Sequence, residues 1–144
     1  MAGEFDGQLA VVTGAAAGLG GVIARALVAG GSDVACVDIN PIEMNDLASL
    51  ETRPGQRVRS FICDVTRSSE VKDVSDQIQR TLGDASILIN NAGGSGLTNI
   101  VEIEDMVDDI WEQTLSLNLS SVMRFCRSLV PAMKARRYGR IVNL

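Results

Sequence analysis

The sequence predicts an α/β fold in which helices cover both faces of a parallel sheet. Short apolar segments alternate with segments of helical spacing along the chain. The apolar segments are continuous rather than alternating, which is typical of strands that are buried on both faces. Apolar residues make up 46% of the 144 residues and charged residues 22%, which is the balance of a globular chain. Because no repeat or linker divides the sequence, we expect one domain over residues 1–144.

Five apolar segments rich in Val, Ile and Leu are the predicted strands. In chain order they are Leu9–Thr13, Asp33–Val37, Val58–Cys63, Ser86–Ile89 and Arg140–Leu144. Each is separated from the next by enough residues for a helix. Strands that are connected through helices form parallel, right-handed crossovers, so this alternation predicts a doubly wound sheet.

Three connecting segments carry apolar residues at the spacing of one helix face. The first segment contains Val22, Ala26 and Val28. The second contains Val71, Val74, Ile78 and Leu82. The third and longest is expected over residues 104–136, with an apolar face of Trp111, Leu115, Val122, Phe125, Leu129 and Met133. We expect these three faces to pack on the sheet.

Local residue types predict where some of the helices begin and end. Asn40, Pro41 and Glu43 combine a capping side chain, a proline for the first helical position and an acid in the first turn. A helix is therefore expected to start there. Gly83 and Gly139 are expected to end the second and the longest helix, because glycine readily adopts the left-handed conformation that follows a helix.

A glycine-rich segment connects the first strand to the first helix. Gly14 allows a tight turn, Gly18 leaves room for a pyrophosphate, and Gly20 lets the helix pack closely on the strand. The free N–H groups at the helix start would point at the phosphates. Three glycines also occur in ordinary strand–helix turns, but their position between a strand and a helix favours binding of a dinucleotide. The candidate binding residues of this segment are Gly14, Ala17, Gly18, Leu19 and Gly20.

An acid stands at the end of the second predicted strand. Asp38 follows Gly20 by eighteen positions and can accept hydrogen bonds from both ribose hydroxyls of the adenosine. Its charge would repel the additional phosphate of NADP, and Ile39, Asn40 and Pro41 supply no base to bind that phosphate. A solvated helix cap is the alternative role of this acid. We predict NAD as the cofactor, with NADP less favoured, and Asp38 and Ile39 as binding residues.

Five motifs follow one another along the chain. The first is the spacing T-G-x-x-x-G-x-G of the glycine-rich segment. The others are Asp64-Val65, Asn90-Asn91-Ala92-Gly93, Trp111 followed by Asn118-Leu119, and Gly139 to Asn143. In kind and in order they resemble the motifs of the classical short-chain dehydrogenase/reductase family, and they extend from about Leu9 to Leu144.

The resemblance implies a Rossmann-like sheet with the strand order 3-2-1-4-5. The cofactor-binding residues that it adds are Asp64 and Val65 at the adenine, and Asn91, Ala92 and Gly93 towards the nicotinamide. Asn118 would be the asparagine of the catalytic tetrad, whose backbone holds the long helix in a kinked shape and binds a water of the proton relay. The implied activity is an NAD-dependent interconversion of an alcohol and a ketone, by a protein that forms a homo-oligomer.

The other three residues of the family's catalytic tetrad have no counterpart in this sequence. They are a serine, a tyrosine and a lysine four residues after the tyrosine. Tyr138 is the only tyrosine, and its fourth following residue is Val142. The only lysines are Lys72 and Lys134. Because the sequence ends at Leu144, within the predicted fifth strand, we expect an incomplete chain. The alternative is a degenerate relative that binds a dinucleotide or a partner protein without catalysis.

Composition and charge disfavour several other classes of protein. The net charge of −5 disfavours binding to nucleic acid. No run of about 18 apolar residues predicts a membrane span, and no signal peptide is expected. The absence of histidine removes the commonest zinc ligand, so no metal site is predicted. Cys36, Cys63 and Cys126 are expected to be buried, reduced thiols of a cytoplasmic protein.

Overall fold

The computed structural model of the chain describes residues 3–43, 47, 49, 51, 53–95 and 102–144. Its strands are β1 Leu9–Thr13, β2 Asp33–Asp38, β3 Val58–Ile62, β4 Ile87–Asn90 and β5 Arg140–Asn143. They form one parallel sheet in the order β3-β2-β1-β4-β5. The predicted α/β class and strand order are confirmed. The bounds of each strand differ from the predicted ones by at most one residue, because continuous apolar segments mark buried strands closely.

Four α-helices are described from end to end, and they lie between the strands. They are α1 Gly18–Ala29, α2 Ser68–Leu82, α3 Asp108–Leu115 and α4 Ser121–Ala135. A π-helical turn, Ser116–Ser120, joins α3 to α4, and a short 3-10 turn, Ile103–Asp105, precedes α3. The long predicted helix therefore begins later than expected and is interrupted in its middle. None of the described helices is long and apolar enough to cross a membrane.

The core is divided between the two faces of the sheet. On one face, Ile78 of α2 and Phe125 of α4 are buried in a cluster with Val11 and Leu88 of the sheet. On the opposite face, Val28 of α1 is buried with residues that alternate with these along the same strands. Strands that bury both faces in this way need apolar residues at every position, which is why their segments read as continuous apolar runs.

The spacing that predicted α2 is confirmed by its packing. Val71, Val74, Ile78 and Leu82 are all buried, as residues on one helix face must be to reach the core. The helix ends as predicted at Gly83, which has a φ of 102°. Its N–H donates to the carbonyls of Ile78 and Gln79, and its positive φ turns the chain away from the helix axis.

The helix predicted to start at Asn40 and Pro41 does not start there. Residues 41–43 lie outside any helix. The N–H of Asn40 instead donates to Asp38 Oδ1 at 2.9 Å, so the chain leaves β2 in a turn that is held by the strand's last side chain. Of residues 44–52, which follow the predicted start, the structure describes only 47, 49 and 51, and residue 47 is helical.

The predicted end of the longest helix at Gly139 is also wrong. Helix α4 ends at Ala135, and Arg137 takes the left-handed conformation with a φ of 54°. Gly139 serves packing instead, because a β-carbon there would lie 2.6 Å from the sulfur of Met133. A glycine that is required for a close approach has the same sequence signal as one that ends a helix.

The parallel register brings the carboxyl ends of the central strands to one edge of the sheet. Thr13 of β1 pairs with Val37 of β2, and Val12 pairs with Ile89 of β4. The residues that follow these three strands therefore lie side by side. In open α/β sheets this edge is where ligands bind.

Candidate functional site

The glycine-rich turn packs tightly against the segment that follows β4. Gly14 has a φ of 66°, and a β-carbon on it would lie 2.8 Å from Asn91 Nδ2 and 3.0 Å from the α-carbon of Ala92. A β-carbon on Gly20 would overlap the carbonyl oxygen of Gly14 and the amide of Asn91. Both glycines therefore have the conformational and packing roles that the sequence predicted for them.

Gly18 faces open space at the start of α1. It has a φ of 56°, and a β-carbon placed on it would meet no atom within 4 Å. Ala17 is the cap residue of the helix, and within the described residues no side chain caps the first N–H groups. The first turn also carries no acid, and Leu19 is exposed. Free N–H groups beside an open space provide what a bound pyrophosphate requires.

Asp38 joins the glycine-rich turn to the end of β2. Its Oδ2 accepts a hydrogen bond from the N–H of Ala16 at 3.0 Å, and its Oδ1 accepts one from Asn40. Each carboxylate oxygen has a second acceptor position, so the side chain can also receive two hydroxyl groups. Its partial exposure leaves those positions accessible, and the neighbouring Ile39 is exposed beside it. The structural role of Asp38 was not predicted from the sequence.

Thr13 and Asn91 connect the ends of β1 and β4. The backbone N–H groups of Asn91 and Ala92 both donate to Thr13 Oγ1 at 3.0 Å. The amide of Asn91 donates to the carbonyls of Thr13 and Gly14 at 3.0 and 3.2 Å. The side chain of Asn91 thus holds the glycine-rich turn in place. Thr13 was missed as a site residue, although its position directly before Gly14 was a signal for it.

A cleft of about 430 Å³ opens at this edge of the sheet. Its lining residues are Gly14, Asp38, Ile39, Cys63, Asp64, Val65, Thr66, Ala92, Gly93 and Leu117. A second cavity, of about 420 Å³, lies over the start of α1 and is lined in part by Ala17 and Gly18. The cleft combines apolar walls with two carboxylates, which suits a ligand with a flat aromatic base and a sugar.

The carboxylate of Asp64 is held by hydrogen bonds within the turn that follows β3. Asp64 Oδ1 accepts hydrogen bonds from the N–H of Thr66 at 2.9 Å and from its hydroxyl at 2.6 Å. The hydroxyl bond is the main cause that lowers the pKa of Asp64, and Arg67 lowers it further. The carboxylate is therefore charged at neutral pH. Its contribution to stability is present there and is lost only as the pH falls through the lowered pKa.

Asn118 lies in the π-helical turn and is paired with the loop after β4. Its Oδ1 accepts from the N–H of Gly94 at 3.0 Å, and its Nδ2 donates to the carbonyls of Gly94 and Thr114 at 2.7 and 2.9 Å. A β-carbon on Gly93 would lie 2.7 Å from Asn118 Oδ1. The interruption of the long helix, which the family resemblance implied as a kink, therefore aligns Asn118 with the mouth of the cleft. π-Helical turns often occur at functional sites.

Two of the three cysteines, Cys36 and Cys63, are buried thiols. Cys36 lies within β2, and Cys63 lines the cleft directly after β3. Burial raises the pKa of each thiol to about 12, and for Cys63 the carboxylates of Glu70 and Asp64 add to the effect. Cys126 is half-buried and also unpaired. Thiols with such high pKa values are poor nucleophiles and serve as packing groups.

Of these three cysteines, we expect only Cys126 to react rapidly in the native full-length protein. Ellman's reagent near neutral pH should modify Cys126 and leave Cys36 and Cys63 unmodified, since the thiolate fraction of the latter two is negligible and their side chains are covered. All three should react after denaturation. Mass mapping of the modified peptides identifies the residue. Rapid labelling of Cys63 in the native state would show that its thiol is exposed to solvent, whereas this structure buries it.

Comparisons with known proteins agree with this geometry. The family model for short chain dehydrogenase matches residues 8–144. A 2,3-dihydro-2,3-dihydroxybenzoate dehydrogenase from Bacillus subtilis is 35% identical over 142 residues, which are 97% of this chain and 52% of that protein. A D-beta-hydroxybutyrate dehydrogenase from Cupriavidus necator is 31% identical, over 97% of this chain and 53% of its own length.

Solved structures show the same fold. A short-chain dehydrogenase/reductase from Burkholderia xenovorans superposes with a TM-score of 0.85 at 30% identity, over 99% of this chain and 55% of the other. A metagenomic short-chain oxidoreductase in complex with NADP superposes with a TM-score of 0.85 at 27% identity, over 96% and 62% of the two chains. This chain spans about half the length of the curated relatives it matches. Because the family model matches almost the whole chain, this chain belongs to the short-chain dehydrogenase family.

Proposed function

We propose that the chain is the cofactor-binding part of an NAD-dependent oxidoreductase that interconverts an alcohol and a ketone by hydride transfer. The observation that carries the proposal is the open space at Gly18 beside a cleft that contains Asp38 and Asp64. The names of two relatives support the substrate class, since a 2,3-dihydro-2,3-dihydroxybenzoate dehydrogenase and a D-beta-hydroxybutyrate dehydrogenase are both named for substrates that carry hydroxyl groups.

Each group of site residues is assigned to one part of the dinucleotide. In the proposed complex the adenosine ribose lies against Asp38, and the adenine lies against Ile39, Asp64 and Val65. The nicotinamide end lies against Asn91, Ala92 and Gly93. The pyrophosphate lies against the glycine-rich turn, at Gly14, Ala17, Gly18, Leu19 and Gly20. The N–H groups at the start of α1 would neutralise the pyrophosphate. The distances between the strand ends support this order, because Asp38 contacts Ala16 and Asn91 contacts Gly14.

When bound, the nicotinamide supplies the hydride chemistry, and the protein supplies position and proton transfer. Asn118 has its side chain engaged with Gly94, so we propose that its catalytic contribution is made through its backbone in the π-helical turn. Tyr138 is no candidate for the proton donor. Its hydroxyl donates to Gln8 Oε1 at 3.1 Å, just before β1, which is the end of the sheet opposite the cleft.

Binding and turnover in the full-length protein test the proposal. Calorimetric titration with NAD and NADP measures binding, and the absorbance of the reduced nicotinamide reports turnover over a panel of secondary alcohols and ketones. Binding together with turnover is the expected result. Binding without turnover would favour a degenerate relative that holds a dinucleotide without catalysis. A protein that binds neither dinucleotide would contradict the proposal.

The charge of Asp38 is expected to make the full-length protein prefer NAD. Replacing it with asparagine keeps the size of the side chain but removes the charge that repels the 2′-phosphate of NADP. We expect the dissociation constant of NADP divided by that of NAD to fall by about tenfold, which corresponds to about 1.4 kcal/mol. Asp38→Ala should reduce this ratio as well and should also lower the melting temperature, since the contacts with Ala16 and Asn40 are lost. A wild-type preference for NADP would refute the assignment.

We further propose that the full-length protein is a homo-oligomer of the cytoplasm. Three exposed apolar side chains on the α3–α4 segment support self-association: Trp111, Leu119 and Met123. The buried free thiols Cys36 and Cys63 support a reducing compartment. The partners expected besides another copy are a small alcohol or ketone and the dinucleotide.

A further inference from the structure

Residues 64–67 form a tight turn between β3 and α2 at the wall of the cleft. The N–H of Arg67 donates to the carbonyl of Asp64 at 3.0 Å. The two hydrogen bonds from Thr66 occupy Asp64 Oδ1. Asp64 Oδ2 lies 3.3 Å from Arg67 Nε and has a second acceptor position. Oδ2 is therefore the oxygen with which Asp64 can bind a ligand in the cleft.

Glu70 fixes this turn from the first turn of α2. A glutamate at the third helical position usually accepts from the N–H of the cap residue, which here is Arg67. Glu70 reaches further back, and its Oε2 accepts from the N–H of Asp64 at 2.9 Å. Its Oε1 lies 3.4 Å from Arg67 Nη1. One side chain thus holds the backbone of Asp64 directly and its carboxylate through Arg67.

The bond to the Asp64 backbone is the stronger of these two connections. The side chains of Arg67 and Glu70 are 67% and 40% exposed, so water screens the ion pair between them. A hydrogen bond from a backbone N–H to a charged carboxylate is roughly twice as strong as one between neutral groups. The position of Asp64 therefore depends mainly on the Glu70 acceptor and only weakly on the pairing with Arg67.

We propose that Glu70 is a positioning residue of the adenine subsite, which holds Asp64 so that its Oδ2 accepts a hydrogen bond from the 6-amino group of the base. The inference rests on the proposed function, in which Asp64 and Val65 contact the adenine. A merely structural role of Glu70 would weaken binding of any dinucleotide. A positioning role weakens binding only of a dinucleotide that carries the amino group.

Nicotinamide hypoxanthine dinucleotide separates these two roles, because it carries an oxygen in place of the 6-amino group. The dissociation constants of NAD and of this analogue are measured by calorimetry with the full-length wild type, Glu70→Ala and Glu70→Gln. We expect the wild type to bind NAD about fivefold or more tightly than the analogue, the size of one hydrogen bond. Glu70→Ala should bring that ratio close to one. Glu70→Gln retains an acceptor for the N–H of Asp64 and should keep most of the preference.

Asp76→Ala is the matched control on the same helix. Asp76 forms an exposed ion pair with Lys72 and has no contact with the 64–67 turn among the described interactions. Its replacement should leave the ratio unchanged, and melting curves show that each variant is folded.

Three results would decide against the inference. If Glu70→Ala weakens the binding of NAD and of the analogue equally, so that the ratio of their dissociation constants stays as in the wild type, Glu70 does not position Asp64. If the wild type binds both dinucleotides equally well, Asp64 does not read the amino group, while the proposed dinucleotide binding stands. If the wild type binds neither, the proposed function itself is wrong and the inference falls with it.

Discussion

Replacing Gly18 with valine is expected to lower the affinity of the full-length protein for NAD by well over tenfold. The β-carbon would enter the open space at the start of α1, where no atom lies within 4 Å. In the proposed complex that space holds the pyrophosphate, and a branched side chain keeps its charged oxygens away from the free N–H groups of the helix. A tenfold loss corresponds to about 1.4 kcal/mol, and displacement of a charged group from several donors exceeds that.

The valine also strains the backbone, and this effect must be separated from the loss of binding. Gly18 has a φ of 56°, and a residue with a β-carbon in the left-handed conformation costs about 1–2 kcal/mol. Gly18→Ala has a β-carbon in the same conformation but no branch at it, so it is strained less than Gly18→Val. It should melt at a temperature at or above that of Gly18→Val and bind NAD better. Gly20→Ala is the contrasting variant. Its β-carbon overlaps the carbonyl of Gly14, so it should destabilise the fold itself.

Calorimetry gives the dissociation constants, and thermal melting shows which variants are folded. If Gly18→Val is folded and binds NAD as tightly as the wild type, the pyrophosphate does not lie at this turn. The assignment of the glycine-rich segment would then be wrong, although the packing roles of Gly14 and Gly20 would be unaffected.

A polypeptide of residues 1–144 expressed alone is expected to self-associate and to lack dehydrogenase activity. Strand β5 is at the edge of the sheet and all four of its residues are exposed. An edge strand presents unpaired N–H and carbonyl groups to other chains. Ile141 and Val142 are 40% and 44% exposed. No activity is expected because the tyrosine and lysine of the family's tetrad are absent from these residues, and Tyr138 faces the opposite end of the sheet.

The exposed apolar surface is large enough to decide the behaviour of this polypeptide. Sequence spacing placed Leu115 and Val122 on the apolar face of the long helix, and the structure buries both in part. Trp111, Leu119 and Met123 are the large apolar side chains of the α3–α4 segment that remain exposed. Together with β5 they leave on the order of 200–400 Å² uncovered, which is worth about 5–10 kcal/mol at roughly 25 cal/mol per Å². That rivals the stability of a whole domain, about 5–15 kcal/mol.

Size-exclusion chromatography and thermal melting of residues 1–144 test this expectation. Oligomers or aggregates with a broad melt are the expected result. Trp111→Glu together with Met123→Glu should shift the elution towards the monomer, because charges on the α3–α4 segment oppose its burial. A monomer with a sharp, cooperative melt for the unmodified polypeptide would disprove the prediction and would show that this half is a self-sufficient domain.

Apolar spacing along the chain was a sufficient signal for α2. The four residues that predicted α2 are buried together, since a face that repeats every three to four residues has one direction in which to pack. Spacing was insufficient at the helix ends. Helix α4 ends before Gly139, and Arg137 takes the left-handed conformation that was expected of this glycine. Gly139 is required instead for close packing with Met133.

The sequence by itself determined the fold class, the strand segments and the glycines of the turn, because each depends on the chemistry of neighbouring residues in the chain. Only the tertiary structure decided which side chains meet at the carboxyl edge of the sheet. Thr13 reaches Asn91 across 78 positions, and Asp38 reaches Ala16 across 22. These contacts exist because the parallel register sets the ends of β1, β2 and β4 side by side, and the pairing of strands that are distant in the chain leaves no local pattern in the sequence.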